Sequence, residues 1–424
     1  MRTPLSPLDV ASVRKQFPGL ARTQDGRPVV FADAPGGTQV PARVIEAMGG
    51  YLRERNANTG GAFETSRETD ELIAEAHRAA ADFLGADPSE CVFGQNMTTL
   101  SFSLARSVAR TLSPGDELVV TRLDHDANIA PWLTVAAETG SVTRWIDLVD
   151  DDCSLDLESL QSALSPRTRV VAVTLASNAV GSLTAVGEVV RIVRERAPGA
   201  VLVADAVHFA QHRPIDVGAL DVDVLFCSPY KFFGPHLGIM WGRRSLLESL
   251  HAYRVRPQYD QSPDRWETGT LSHEAMAGFL GTIDYLADLG RTTGGEEATD
   301  RRLLVTAGME AITEYERVLS VRFLEGQPRL SRVRLWGIAD PARVGERTPT
   351  FAVRVDGYSP REAAEELARR GIFAWDGNYF ALAVMERLGL EATGGAVRIG
   401  LCHYNTADEV DRTLDELSTL TPPG

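Results

Sequence analysis

Apolar residues along this chain follow two alternating periods. Short unbroken apolar runs at 118–121, 170–174, 201–204 and 224–227 read as strands buried on both faces. Between them, apolar positions recur at helical spacing over 70–84, 100–111, 185–196 and 274–289. Strands and helices that alternate in this way predict an α/β fold with a mostly parallel sheet covered by helices on both faces. In such sheets ligands bind outside the C-terminal strand ends. After about residue 300 the pattern changes. Helical stretches at 301–315 and 361–369 alternate with strand-like runs at 350–355 and 396–401, which predicts a second, smaller α/β unit. Its last helix, 407–419, opens on Thr406 with Glu409 three residues later, the spacing of a capping box. The expected organisation is an arm over 1–24 packing on the small domain, a large domain over 25–295 and a small domain over 296–424. The polar, glycine-containing segment 290–300 is expected to be the hinge.

Composition narrows the function classes. The chain has 424 residues, 44% hydrophobic and 24% charged, ordinary values for a globular enzyme. Its formal net charge of −15 leaves no basic excess to neutralise phosphates, which argues against nucleic acid or an anionic membrane as main partner. No run of about 18 apolar residues appears, and the first twenty residues lack the basic start and apolar core of a secretion signal. A cytoplasmic enzyme is expected. The four cysteines (Cys91, Cys153, Cys227 and Cys402) are not at C-x-x-C spacing and read as small buried hydrophobes rather than a metal site.

Lysine usage is more telling. The basic residues number 43, yet only Lys15 and Lys231 are lysines. The bias fits a GC-rich genome, in which surface lysines drift to arginine. A lysine that persists in an apolar setting needs its primary amine, because a guanidinium stays protonated and forms no Schiff base. Lys231, in Ser228-Pro229-Tyr230-Lys231-Phe232-Phe233-Gly234-Pro235, has that setting.

Four clusters sit at predicted strand ends. Gly94-Gln95-Asn96-Met97-Thr98-Thr99 opens a helix, and is either a phosphate site or a plain threonine cap. Asp124-His125-Asp126-Ala127-Asn128 offers a histidine that stacks on a cofactor or shuttles a proton, or else an ordinary turn histidine. Asp205, directly after four apolar strand residues, must find a partner as it leaves the sheet. A pyridinium N–H is one candidate, a helix N-terminus the other. The fourth cluster is Ser228 to Lys231, one crossover after Asp205.

Taken together, from Phe31-Ala32-Asp33 to the C-terminus, the chain resembles the class V aminotransferases, in particular the cysteine desulfurase-like branch of fold type I. The segments that carry the resemblance are 124–132, 204–217, 228–235 and 398–406. It implies a pyridoxal 5′-phosphate (PLP) enzyme with a large domain built on a seven-stranded sheet and a smaller C-terminal domain. It also implies roles. Lys231 holds the cofactor as a Schiff base and moves protons, Asp205 pairs with the pyridine nitrogen, and His125 stacks on the ring. Thr98, Thr99 and Ser228 hold the phosphate. Asn178 lies near the phenolic oxygen or the substrate carboxylate, and Arg398 clamps that carboxylate. Thr270 reaches the phosphate in a partner subunit, which implies a homodimer with shared active sites.

The departures from the family pattern bear on the reaction. The stretch where desulfurases carry a mobile-loop cysteine reads Trp375-Asp376-Gly377-Asn378-Tyr379-Phe380, with Phe380 about where the nucleophile belongs. Without a thiolate there is no persulfide route. Cys402 shares an alternation face with Arg398 and is the other thiol to locate. His208 replaces the usual glutamine of the cofactor site, and Tyr230 replaces the usual histidine before the lysine, where it acts as an acid or base or packs on the sheet. Trp375 and Tyr379 are expected to line an aromatic substrate pocket or to close a loop over the core. The leading expectation is a C–S lyase that cleaves a cysteine S-conjugate by β-elimination to thiol, pyruvate and ammonia. Decarboxylation, oxidative deamination, transamination or epimerisation at Cα are the alternatives, followed by true desulfuration and by cofactor binding without turnover.

Overall fold

The computed structural model describes residues 7–294 and 299–420. Seven strands form the main sheet: β1 Cys91–Gly94, β2 Glu117–Thr121, β3 Val142–Ile146, β4 Thr168–Thr174, β5 Val201–Asp205, β6 Val224–Cys227 and β7 Gly238–Gly242. Their order is β1-β7-β6-β5-β4-β2-β3. All run parallel except β7, which lies antiparallel between β6 and β1. The central strands are apolar on both faces because helices cover both. Val170, Val171, Leu202, Val203, Leu225 and Phe226 are fully buried, each contributing about 1.5–3 kcal/mol of transfer free energy.

A second sheet, entirely antiparallel, contains β8 Val333–Trp336, β9 Thr350–Val355, β10 Trp375–Gly377 and β11 Ala396–Gly400 in the order β8-β9-β11-β10. It brings Trp375 into register with Arg398. The two units are tied by the start of the chain. Val30–Phe31 pairs in parallel with Ile372–Phe373, and Gln24 donates to the Ala368 carbonyl at 2.9 Å. Arg14 pairs with Glu409 at 2.9 Å. Phe17 packs against Phe233 and Tyr285 on one side and His403 and Tyr404 on the other.

Four helices matter below: α1 Met97–Ala109, α2 His273–Gly294, α3 Arg301–Gly326 and α4 Ala407–Ser418. The capping box expected at Thr406 and Glu409 opens α4. The expected hinge needs correction. Residues 290–294 continue α2, and Gly290 serves close packing, not bending. A Cβ there would land on the Leu304 carbonyl of α3, and one on Gly308 would land on the Leu286 carbonyl of α2. Residues 295–298 of that segment, with the expected boundary at 295/296, lie outside the described residues. Among the described residues no helix is long and apolar enough to cross a membrane.

Candidate active site

Every cluster singled out at a strand end arrives at the same edge of the main sheet. Strands β1, β2, β4, β5 and β6 deliver, in turn, the start of α1, the His125 turn, the Asn178 loop, Asp205 and the Ser228–Lys231 turn. These five strands run parallel, so their C-terminal ends gather these segments without long connections. They wall a narrow inner chamber lined by Thr98, His125, Asn178, Asp205, Ser228 and Lys231. An outer cavity of about 770 Å³ shares Thr98, His125, Asn178, Tyr230 and Lys231 with it and adds Arg398 and the 375–380 loop.

Lys231 lies on a one-turn 3₁₀ helix just past β6. Its Nζ donates to the Pro35 carbonyl and sits 4.8 Å from the centroid of the Tyr230 ring. Enclosure by the cavity walls, with the Arg398 charge adding to it, lowers its pKa to about 7, against the pull of Asp205. Much of the amine is therefore neutral at physiological pH. Asp205 closes β5, and its Oδ1 accepts from the Val207 amide at 2.8 Å. Burial raises it to about 6; the Val207 N–H and Lys231 oppose the rise.

His125 accepts the Ala127 amide on Nδ1 at 3.0 Å, which places its ring proton on Nε2. Burial, then Lys231 and Arg398, hold its pKa near about 4, so the ring stays neutral. The ring stacks on Phe380 at 5.6 Å. Asp124, given no role from the sequence, anchors this turn. It accepts from Thr121 and, at 2.6 Å, from Asn128, and burial pushes its carboxyl up to about 8.

The start of α1 is capped by Asn96, not by a threonine: its side chain accepts from the Thr99 amide at 2.9 Å. Thr99 turns its hydroxyl back onto Asn96, while Thr98 lines both cavities. Ser228 Oγ, buried, accepts the Met97 amide at 3.3 Å. Gly238 lets β7 pass close, since any Cβ there would meet the Asn96 backbone. His208 lines the inner chamber. Its Nε2 lies 2.9 Å from the Thr350 hydroxyl, and its Nδ1 has no hydrogen-bond partner. Thr270 is exposed, on a loop outside both cavities.

Arg398, on β11, reaches across from the small sheet. Its Nη1 donates to the Asn178 carbonyl at 2.9 Å, and its guanidinium lies 4.3 Å above the Tyr379 ring. Nε has no partner, and neither does Asn178 Oδ1. Burial lowers the Arg398 pKa to about 10, which leaves it charged. Asn178 Nδ2 in turn holds the Tyr379 carbonyl at 3.0 Å, and Tyr379 donates its hydroxyl to the Ala396 carbonyl. Tyr379 and Phe380 both have left-handed φ, 56° and 58°, uncommon for aromatic residues. Trp375 packs on Gly36, where a Cβ would strike its indole. Tyr230 stacks on His236 at 5.0 Å, and burial raises its phenol pKa. All four cysteines are buried, and none lines either cavity. Cys402 in particular sits in the core, its thiol pKa raised well above the ordinary value by burial.

Such a set is what a phosphorylated pyridine aldehyde requires: an amine with a depressed pKa, a carboxylate for a ring nitrogen, a neutral flat imidazole, and a helix N-terminus with hydroxyls for phosphate. The unpartnered His208 Nδ1 and Asn178 Oδ1 leave polar atoms for it to meet. The family model for class-V aminotransferases matches residues 30–413. The chain belongs to the class-V aminotransferase family. As a member it is a PLP-dependent enzyme, in the cysteine desulfurase-like branch of fold type I. It is 31% identical over 424 residues to an aminotransferase-like protein, FGM3, of Gibberella zeae, covering 98% of this chain and 99% of that one. It is 30% identical over 427 residues to a cysteine desulfurase of Pectobacterium carotovorum, covering 97% and 98%. Among solved structures, the apo cysteine desulfurase of Thermococcus onnurineus NA1 superposes with a TM-score of 0.84 at 25% identity, covering 98% of each chain. In this class-V enzyme sequence reasoning missed Asp33, a half-buried carboxyl near Arg398 that desolvation raises to about 6. It also missed the outer-cavity residues Phe102 and Glu391. All three come from segments whose local pattern is only that of a turn or a helix face.

Proposed function

We propose that this class-V enzyme is a C–S lyase that cleaves an S-substituted cysteine to a thiol, pyruvate and ammonia. The observation that carries the reading is that no cysteine lines the cavity, while Phe380 caps the His125 ring in the loop where a desulfurase keeps its thiol. Elimination needs no protein thiol; desulfuration does. Bound PLP supplies an electron sink for bonds breaking at the substrate's α-carbon.

The protein's own residues do the rest. Arg398 pairs with the substrate α-carboxylate, its orientation fixed by Asn178 and the Tyr379 ring. Lys231, neutral in much of its population, would hold the cofactor through its amine and would take the α-proton of the substrate. Asp205 would face the ring nitrogen and favour its protonated form. Thr98, Ser228 and the N-terminus of α1 would hold the phosphate. As the Cβ–S bond breaks, the Tyr230 hydroxyl, kept protonated by burial, gives its proton to the leaving sulfur. Lys231 would take back the cofactor and free the three-carbon enamine, which with one water yields pyruvate and ammonia. In a homodimer, Thr270, exposed on its own chain, would reach the partner's phosphate.

The test is product analysis with S-alkyl cysteines. Thiol and pyruvate formed one to one support elimination. Alanine and a protein persulfide from free cysteine would instead establish desulfuration. Carbon dioxide, or a keto acid that retains sulfur, would move the reaction to Cα.

A further inference from the structure

The outer cavity is lined by groups of both charge types. Among the described residues its lining lysine and arginine are Lys231 and Arg398, assigned above to the cofactor and the α-carboxylate. Its wall also holds three half-buried carboxylates: Asp126, Asp376 and Glu391. Many carboxylates elsewhere on this chain are met by arginine, as in the pairs of Arg301 with Glu75 and Asp82 or of Arg387 with Asp147 and Asp150. Among the described residues Asp126 and Glu391 have no such partner. Glu391 accepts only from Asn378 Nδ2, at 3.1 and 3.3 Å. Asp376 meets the exposed Arg361 at 3.3 Å.

Carboxylates at a cavity mouth are ordinarily just hydrated. Here the same cavity also contains two buried, unpartnered polar groups that call for a ligand. Arg398, 4% exposed, has a free donor at Nε, and Asn178, 8% exposed, has a free acceptor at Oδ1. An amino acid whose α-carboxylate meets Arg398 extends its side chain into the remaining space. That space is walled by Phe102, Trp375 and Phe380, all exposed aromatics, together with the three carboxylates. Aromatic faces and carboxylates share one preferred guest, a cation. An anion there meets like charge, and an apolar chain gains only the aromatic half of the wall. The net charge of −15 adds a long-range field of the same sense.

We infer that the substrate's side chain ends in a cation, an ammonium or guanidinium group received by Asp126, Asp376 and Glu391 among the aromatics. Resting on the lyase reading, this makes the natural substrate a cysteine whose sulfur carries an aminoalkyl-type substituent.

Two readouts on the PLP-loaded enzyme test it. The first is calorimetric binding of L-lysine against L-norleucine, neither of which has a sulfur to eliminate. The second is kcat/KM for S-(2-aminoethyl)-L-cysteine, neutral S-propyl-L-cysteine and anionic S-carboxymethyl-L-cysteine. Expected are about tenfold tighter binding of lysine, the equivalent of about 1.4 kcal/mol, and the order cation, neutral, anion in kcat/KM. The double variant Asp126→Asn, Glu391→Gln should collapse the binding ratio toward one. Should that variant not fold, raising ionic strength on the unmodified enzyme should shrink the ratio, since these groups are solvent-accessible. Equal binding of lysine and norleucine, or a ratio untouched by both charge removal and salt, overturns the inference. Equal turnover of all three conjugates also overturns it while leaving the lyase reading intact. Lysine preference without thiol or pyruvate from any conjugate supports cation recognition and overturns the lyase reading.

Discussion

Lys231 is set apart by its surroundings more than by its chemistry. A lysine in water has no neutral amine to spare at pH 7; enclosed near Arg398, this one has a pKa of about 7. Capture of PLP by the cofactor-free protein should therefore accelerate as pH rises through about 7, with the rate about tenfold below its plateau one unit lower. Stopped-flow absorbance measures this, and a midpoint near 10 would mean that the amine is not shielded. The sign follows from the depressed pKa: deprotonation starts earlier than in a free lysine, so reactivity is gained on the alkaline side. Arg398 offers a second prediction. Its planar fork is held by the Asn178 carbonyl and the Tyr379 face, and a lysine reproduces neither contact. Arg398→Lys should lower kcat/KM roughly 10- to 100-fold, matching about 1.5–3 kcal/mol for a charge-assisted pair. An unchanged value would place the carboxylate elsewhere. Tyr230→Phe should slow thiol release about 100-fold if its proton assists departure, and steady-state rates with leaving thiols of differing acidity report it.

Helices and strands were far more legible than the contacts between them. Runs such as 170–174 and 201–204 have no polar face, and only burial between two helix layers suits them, so the sheet could be read directly. The helix over 274–289 was also readable, but not its continuation to Gly294. Glycine is a turn signal locally, and only the tertiary partner shows that Gly290 exists to admit the Leu304 carbonyl. Gly290→Ala should accordingly destabilise the fold by about 1–3 kcal/mol through overpacking, measured by denaturant unfolding. A neutral result would restore the hinge interpretation. The same limit applied at the site. Lys231, Asp205 and His125 stand in distinctive local settings, and the structure brings all three to the inner chamber. Asp124 and Glu391 look like ordinary turn residues and gain meaning only when β2 and the small sheet converge. Phe380 was noticed because it stands where a cysteine was expected, yet its stacking on His125 depends on two left-handed residues that no local pattern announces.

On the scale of the whole molecule, the active site is built from both sheets. The main sheet supplies the residues proposed to hold the cofactor and the small sheet supplies Arg398, with 30–31 and Phe17 stitching them together. In the proposed homodimer Thr270 would extend the site beyond one chain, together with exposed Tyr253, Val255 and Tyr259 nearby in sequence. Sedimentation should give twice the chain mass, and a monomer that turns over at full rate would contradict shared sites. Beneath all of this lies one claim, that Lys231 carries the cofactor, and the chain makes it unusually easy to test, since Lys15 is its only other lysine. The purified enzyme should absorb near ~420 nm, as a lysine-bound PLP does. After borohydride reduction and digestion, mass spectrometry should find the pyridoxyl group on the peptide containing Lys231 and nowhere else. Label on Lys15, or no label after incubation with excess PLP, would contradict the assignment and the mechanism built on it.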